Sequence, residues 1–134
     1  MPRCRQPSTW CADVKRCPCG LDRPYPLCCG ALHAGKPAPT AESLMRARYS
    51  AFVVGDADYL LRTWASSTRP ASLELPPGGE PYIALRVLHS EQGGSTDTYG
   101  EVRFEALHPS GTQREHSRFI REGGAWVYLN GTAF

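Results

Sequence analysis

The chain has 134 residues, of which 41% are hydrophobic and 21% charged, with a formal net charge of +2. That length holds one ordinary domain with its own core plus a small appendage. The sparse, mixed charge excludes a disordered polyelectrolyte and leaves no strong electrostatic footprint for a polyanion.

Residues 1–16 carry Pro2, Pro7 and scattered charge without periodicity, and read as a flexible N-terminal extension. They lack the apolar stretch of a secretory signal, and no later run is long enough to span a bilayer, so a cytoplasmic location is expected. Residues 17–30 hold Cys17, Cys19, Cys28 and Cys29 in a C-x-C-x₈-C-C spacing. In a reducing compartment such a cluster points to metal or redox chemistry rather than to staples. Two close pairs joined by a short loop can present four soft sulfur ligands as a tetrahedron, which suits zinc, with iron the alternative. Gly20 lets the chain turn back after the second ligand, and Pro18, Pro24 and Pro26 limit the freedom of the unbound loop. A vicinal disulfide at Cys28-Cys29 would leave Cys17 and Cys19 unexplained. Cys4 and Cys11 lie outside the spacing and read as incidental thiols, with substitution as a ligand the weaker alternative.

Residues 31–39, with Gly35, Pro37 and Pro39, read as a linker. Thr40 stands at a helix N-cap position with Glu42 in the first turn. Leu44, Met45, Tyr49, Phe52 and Val53 recur at helical spacing up to Gly55. Asp56 can cap a second helix to about Ala65, burying Tyr59, Leu60, Thr63 and Trp64. Residues 66–81 hold four prolines and two glycines, so regular structure there is short. The period then becomes two: Ile83, Leu85 and Val87 alternate in one strand, and Val102, Phe104 and Ala106 in the clearest one. A turn at His108–Gly111 leads to a strand over 112–121, and Gly123-Gly124 to a last strand over 125–130. Helices followed by an antiparallel meander give an α+β layout.

The segment CPCGLDRPYPLCCG resembles the SEC-C motif, the small zinc knuckle at the end of the SecA translocation ATPase and in many bacterial proteins. Cys17, Pro18, Cys19, Gly20, Tyr25, Cys28, Cys29 and Gly30 match it. Leu21 and Asp22 replace its Ser-Gly, and Arg23 alone remains of its basic stretch. Together with LMRARYSAFVVGDADYLLRTW at 44–64 and EHSRFIREGGAWVYLNG at 115–131, the order of segments resembles the YchJ-like family. The family's frequent second SEC-C motif does not occur within these 134 residues, and Asn130 stands where the family usually has Asp. The resemblance implies a SEC-C knuckle over 17–30 preceding an NTF2-like domain over 40–134. In that fold a curved sheet wraps the helices into a cone, often leaving a pocket. It implies a fold and a metal but no reaction.

The residues expected near such a pocket are Arg46, Arg48, Tyr49, Trp64, Glu115, Ser117 and Trp126. If Phe119 points inward, Glu115 and Ser117 do too, and a buried Glu needs a partner such as Arg46 or Arg48. A structural salt bridge is the plain expectation, and a general base the sharper one. His33, His89 and His108 have no partner at metal spacing and are assigned no role. Three functions follow. The first is a zinc-binding adaptor, not an enzyme, that recruits a protein partner through the knuckle and the NTF2-like domain, at the ribosome or translocation machinery by analogy. The second is a small-molecule receptor or enzyme using the cavity. The weakest is a nucleic-acid binder stacking a base on Tyr25 beside Arg23. The knuckle is expected to be separable: Cys19→Ser should loosen 17–30 and leave the main domain folded. The sequence does not fix the oligomeric state.

Overall fold

The computed structural model describes residues 16–134, so Cys4 and Cys11 lie outside the described residues. A 3₁₀ turn at Tyr25–Leu27 leads into helices α1 (Cys29–His33), α2 (Ala41–Val54) and α3 (Ala57–Arg62). Strands β1 (Ala84–Gln92), β2 (Tyr99–His108), β3 (Gly111–Glu122) and β4 (Ala125–Ala133) follow. They form one antiparallel sheet in the order β1-β2-β3-β4. The α+β class and the helices-first order are as expected.

The Thr40 hydroxyl accepts the Ser43 N–H at 3.0 Å and caps α2. The Ala41 N–H donates to Gly93 O at 2.9 Å, which fixes the start of the helix to the β1–β2 hairpin. Asp56 caps α3 through the Tyr59 N–H at 3.0 Å. That helix stops at Arg62, short of the expected Ala65. The chain leaves it to pair with β4: the Tyr128 N–H donates to Thr63 O and the Ala65 N–H to Tyr128 O, each at 2.7 Å. The sheet's demand for a backbone partner there outweighs continuation of the helix, and it sets Trp64 beside Tyr128.

On β2, Val102 and Ala106 face inward and are buried. Glu105 points to the opposite face and is nonetheless covered. Arg86 on β1 and Arg114 on β3 lie opposite it in register and contact its carboxylate at 2.6 and 3.0 Å. These cross-strand pairs hold the carboxyl below its ordinary range, Arg114 foremost. Ile83 falls just before β1 and is 66% exposed, so it is not part of the inward row expected of it. Register shifts at Val87/His89 and Arg118/Phe119 each insert an extra residue, which bends the strands.

Helix α2 is the central element. Eight of its fourteen residues are buried, because it is covered from two sides. Leu44, Met45 and Tyr49 meet the sheet side of the core, while Ala47 and Ser50 are 0% exposed beneath the cysteine segment, with Ala51 buried one turn on from Ala47. Positions i, i+3 and i+4 share one helix face, and their small side chains let that segment approach closely. Cys17, Cys19, Cys29 and Leu32 thus belong to the same buried cluster as Leu60, Val102 and Phe119. The stretch expected as a linker begins as helix: α1 continues directly from the second cysteine pair to His33.

Candidate metal centre and cavity

The cysteine segment folds back on itself through a short antiparallel bridge. Arg16 pairs with Pro24, and the Cys17 N–H donates to Arg23 O at 2.8 Å. The 3₁₀ turn then delivers Cys28 and Cys29 to the first pair. Gly30 is required by this packing: a Cβ there would lie 2.6 Å from Tyr25 O and 2.9 Å from the Tyr25 ring. The segment is bolted to α2 and α3 by polar contacts. His33 Nε2 lies 2.8 Å from Ala47 O, so that nitrogen carries the proton and donates. Its Nδ1 therefore accepts from the Tyr25 hydroxyl. Arg46 donates to Cys19 O, and Arg62 to His33 O, each at 2.8 Å.

The four sulfurs of Cys17, Cys19, Cys28 and Cys29 lie within 4.8 Å of one another. Cys17, Cys19 and Cys29 are buried, and Cys28 is partly exposed. A tetrahedron with sulfur ~2.3 Å from zinc has edges of ~3.8 Å. The Cys19–Cys28 separation of 3.6 Å fits that edge. The Ser50 hydroxyl, 3.6 Å from Cys17 Sγ, adds a hydrogen bond of the kind that orients metal thiolates. Without a cation the cluster is electrostatically frustrated. Hydrogen bonds from the Cys19 and Cys29 thiols favour the Cys17 thiolate, while the same contacts push the Cys19 thiol up to about 11 and raise Cys29 further. A divalent ion removes the conflict, because all four sulfurs can then ionise. The donor set therefore fits one tetrahedral ion, and tetrahedral S₄ suits zinc or iron.

On the other side of α2 a cavity of about 410 Å³ opens between the helix and the sheet. Of the residues expected there, Arg48, Tyr49, Trp64, Glu115 and Ser117 line it. Arg46 and Trp126 do not. Arg46 lies two residues from Arg48, about 200° around the helix, and faces the cysteines and Glu42 instead. Trp126 pairs with Arg121 next to the β3–β4 turn, and the Arg121 guanidinium covers its ring at 4.3 Å. The aromatic residue that β4 offers to the cavity is Tyr128.

Ser117 and Phe119 are buried on the inner face of β3, and Glu115 follows them inward, as the alternation implied. The expected salt bridge does not form. Glu115 Oε2 accepts from the Ser117 hydroxyl at 2.6 Å and from the Tyr128 hydroxyl at 3.0 Å. A Cβ at Gly131 would overlap that carboxylate, so the glycine makes its space. Arg48 is 6% exposed. It donates through Nη1 to Leu60 O at 2.7 Å and Thr63 Oγ1 at 2.8 Å. Its guanidinium carbon lies 4.6 Å from the Tyr128 ring centre and 5.1 Å from that of Trp64. Tyr128 thus touches both groups, its ring facing the cation and its hydroxyl donating to the carboxylate. Burial draws the Arg48 pKa down to about 10 and pushes that of Tyr49 up to about 12, so both remain proton donors at neutral pH. Burial and the neighbouring Glu115 also raise Tyr128.

Tyr82, Phe104 and Tyr128 complete the aromatic lining and were not singled out from the sequence. Tyr128 was legible in the alternation that carries Trp126, two residues away. Gly131 gave no signal of its role, because its packing depends on a side chain across the strand pair.

A four-cysteine knuckle seated on an NTF2-like domain of helices and a four-stranded sheet defines the class: SEC-C motif proteins with an NTF2-like fold. Residues 40–131 match the family described as YchJ, middle NTF2-like domain. The chain is 52% identical over 116 residues to a UPF0225 protein of Streptomyces coelicolor, covering 86% of this chain and 93% of that one. It is 48% identical over 120 residues to a UPF0225 protein of Corynebacterium efficiens, covering 87% and 92%. The solution structure of a SEC-C motif containing protein from Rhodopseudomonas palustris superposes with a TM-score of 0.71 at 28% identity, covering 90% of this chain and 99% of that chain. The crystal structure of a second such protein, from Psychrobacter arcticus, gives 0.68 at 26%, covering 90% and 84%. The chain belongs to the YchJ-like family.

Proposed function

We propose that this protein is a zinc-stabilised cytoplasmic receptor that holds a small organic molecule between α2 and the sheet. The observation that carries the reading is the cavity of about 410 Å³, a size typical of ligand sites, with a buried cation and a carboxylate among aromatic walls. Four sulfur ligands leave zinc no open position, so the ion serves as a structural clamp. The lining residues include no histidine or cysteine, and Glu115 already accepts two hydrogen bonds, which favours binding over turnover. Among the described residues no helix is long and apolar enough to cross a membrane. A cytoplasmic setting keeps the four thiols reduced for the metal. To test the reading, protein purified from its native host is extracted and the organic content measured by mass spectrometry, beside a folded Ala106→Phe variant that narrows the cavity. A small molecule retained by the native form and lost by the variant supports the proposal. Equal content in both contradicts it.

Recruitment of a protein partner is a second reading, favoured by Leu27 and Leu21, 73% and 39% exposed on the knuckle's outer surface. A pull-down with the intact chain and with Leu27→Asp tests it, and identical partners from both remove the knuckle from the explanation. Base stacking on Tyr25 loses its support, because that ring packs edge-on against His33 and its hydroxyl is engaged.

A further inference from the structure

The two polar walls of the cavity are each half satisfied, and in opposite senses. On the α2 wall, Arg48 uses only Nη1 among the described residues, for Leu60 O and Thr63 Oγ1. No carboxylate of the described residues lies within ion-pair distance of it. Its contacts are a carbonyl, a hydroxyl and two ring faces, which leaves a buried positive charge with no anion in contact, Glu115 acting on it only at longer range. The Nε1–H of Trp64, which also lines the cavity, is buried without an acceptor among the described residues. On the sheet wall, Glu115 Oε2 accepts hydrogen bonds from the Ser117 and Tyr128 hydroxyls, while Oε1 accepts none among the described residues. Tyr128 touches both groups, its ring facing the cation and its hydroxyl donating to the carboxylate, and Glu115 reaches Arg48 only as a longer-range charge. Between them the lining is Phe52, Tyr82 and Phe104, surfaces suited to a flat apolar body.

We infer that the ligand is a small aromatic carboxylic acid with a hydroxyl or amino group at its far end. Its carboxylate meets the free guanidinium edge of Arg48, its ring lies among the aromatic walls, and its distal O–H or N–H donates to Glu115. A charge-assisted bond to a planar guanidinium in a site of low polarity discriminates strongly between an acid and its amide. The inference rests on the receptor reading and narrows it to one chemistry.

The test is a titration of the full metal-loaded chain, followed by amide ¹H–¹⁵N shifts, with 4-hydroxybenzoate, benzoate, 4-hydroxybenzamide and 4-hydroxybenzylamine. The expected order places 4-hydroxybenzoate first, with the amide weaker by roughly 10- to 100-fold and shifts centred on Ser117, Phe119 and Tyr128. Glu115→Gln should remove the advantage of 4-hydroxybenzoate over benzoate. Arg48→Lys should reduce the preference for acid over amide. The comparison of acid and amide on the unaltered protein keeps the test valid if either variant fails to fold. Equal binding of acid and amide, or tightest binding of the amine, overturns the acid while leaving a cavity receptor standing. Absence of any shift at the cavity with all four compounds overturns the acid proposal. The organic content of the native protein then decides the receptor reading separately.

Discussion

The two faces of α2 solve the burial of polar groups in different ways. Toward the knuckle, the helix offers Ala47 and Ser50, and the polar atoms it covers are four sulfurs that are mutually satisfied only around a cation. Toward the sheet, it offers Met45, Arg48, Tyr49 and Phe52, and the polar atoms there are satisfied in part by carbonyls, hydroxyls and ring faces. One face closes over a cysteine cluster fit to hold an ion; the other leaves a space. The contrast teaches that the cysteine cluster is placed to hold the helix, and the helix to hold the cavity wall.

Removing the ion should therefore have the largest effect. Apparent binding free energies for structural zinc run to about 10–16 kcal/mol in small domains, and the knuckle has little core of its own. Chelation or Cys19→Ser should unfold residues 17–33 and also lower the melting temperature of the whole chain, since α2 loses its cover. A melt in which only the knuckle loosens would restore the separable knuckle implied by sequence and break the comparison. Overfilling the contact sharpens it: Ala47→Leu should cost about 1–3 kcal/mol by pushing the knuckle off the helix, measured by denaturant titration with metal bound. Thr40→Ala removes the cap shared by both faces and should cost about 1 kcal/mol in the same experiment.

The smallest effect lies on the outer surface of the sheet. Arg114 and Arg86 depress the folded pKa of Glu105 below its unfolded value. The resulting stabilisation is fully present above the ordinary carboxylate range and is lost as pH falls through the folded pKa. Glu105→Gln should flatten the acid limb of the stability–pH curve relative to the unaltered chain, and an unchanged limb would remove Glu105 from that role.

The sequence announced the clustering of the four cysteines because their paired, local spacing is one that few constraints other than coordination produce. It announced α2 and the strands because period 3.6 and period 2 are local as well. Other features were invisible for the same reason. The burial of Ala47 and Ser50 depends on a segment 14 to 33 residues away settling on them, and small residues give no amphipathic signal. The exclusion of Arg46 from the cavity followed from helix geometry alone and was legible. That of Trp126 was not, because it depends on how far along β4 the cavity reaches. The separation of Arg48 from Glu115 needed the position of Tyr128, fixed by its pairing with Thr63 and Ala65.

The most direct measurement is elemental analysis of the full chain purified under reducing, chelator-free conditions, combined with alkylation of its cysteines. One zinc per chain is expected, with Cys17, Cys19, Cys28 and Cys29 protected until a chelator is added. One equivalent of iron would contradict the assignment of zinc. No stoichiometric metal, with all four thiols freely reactive, would contradict the centre itself.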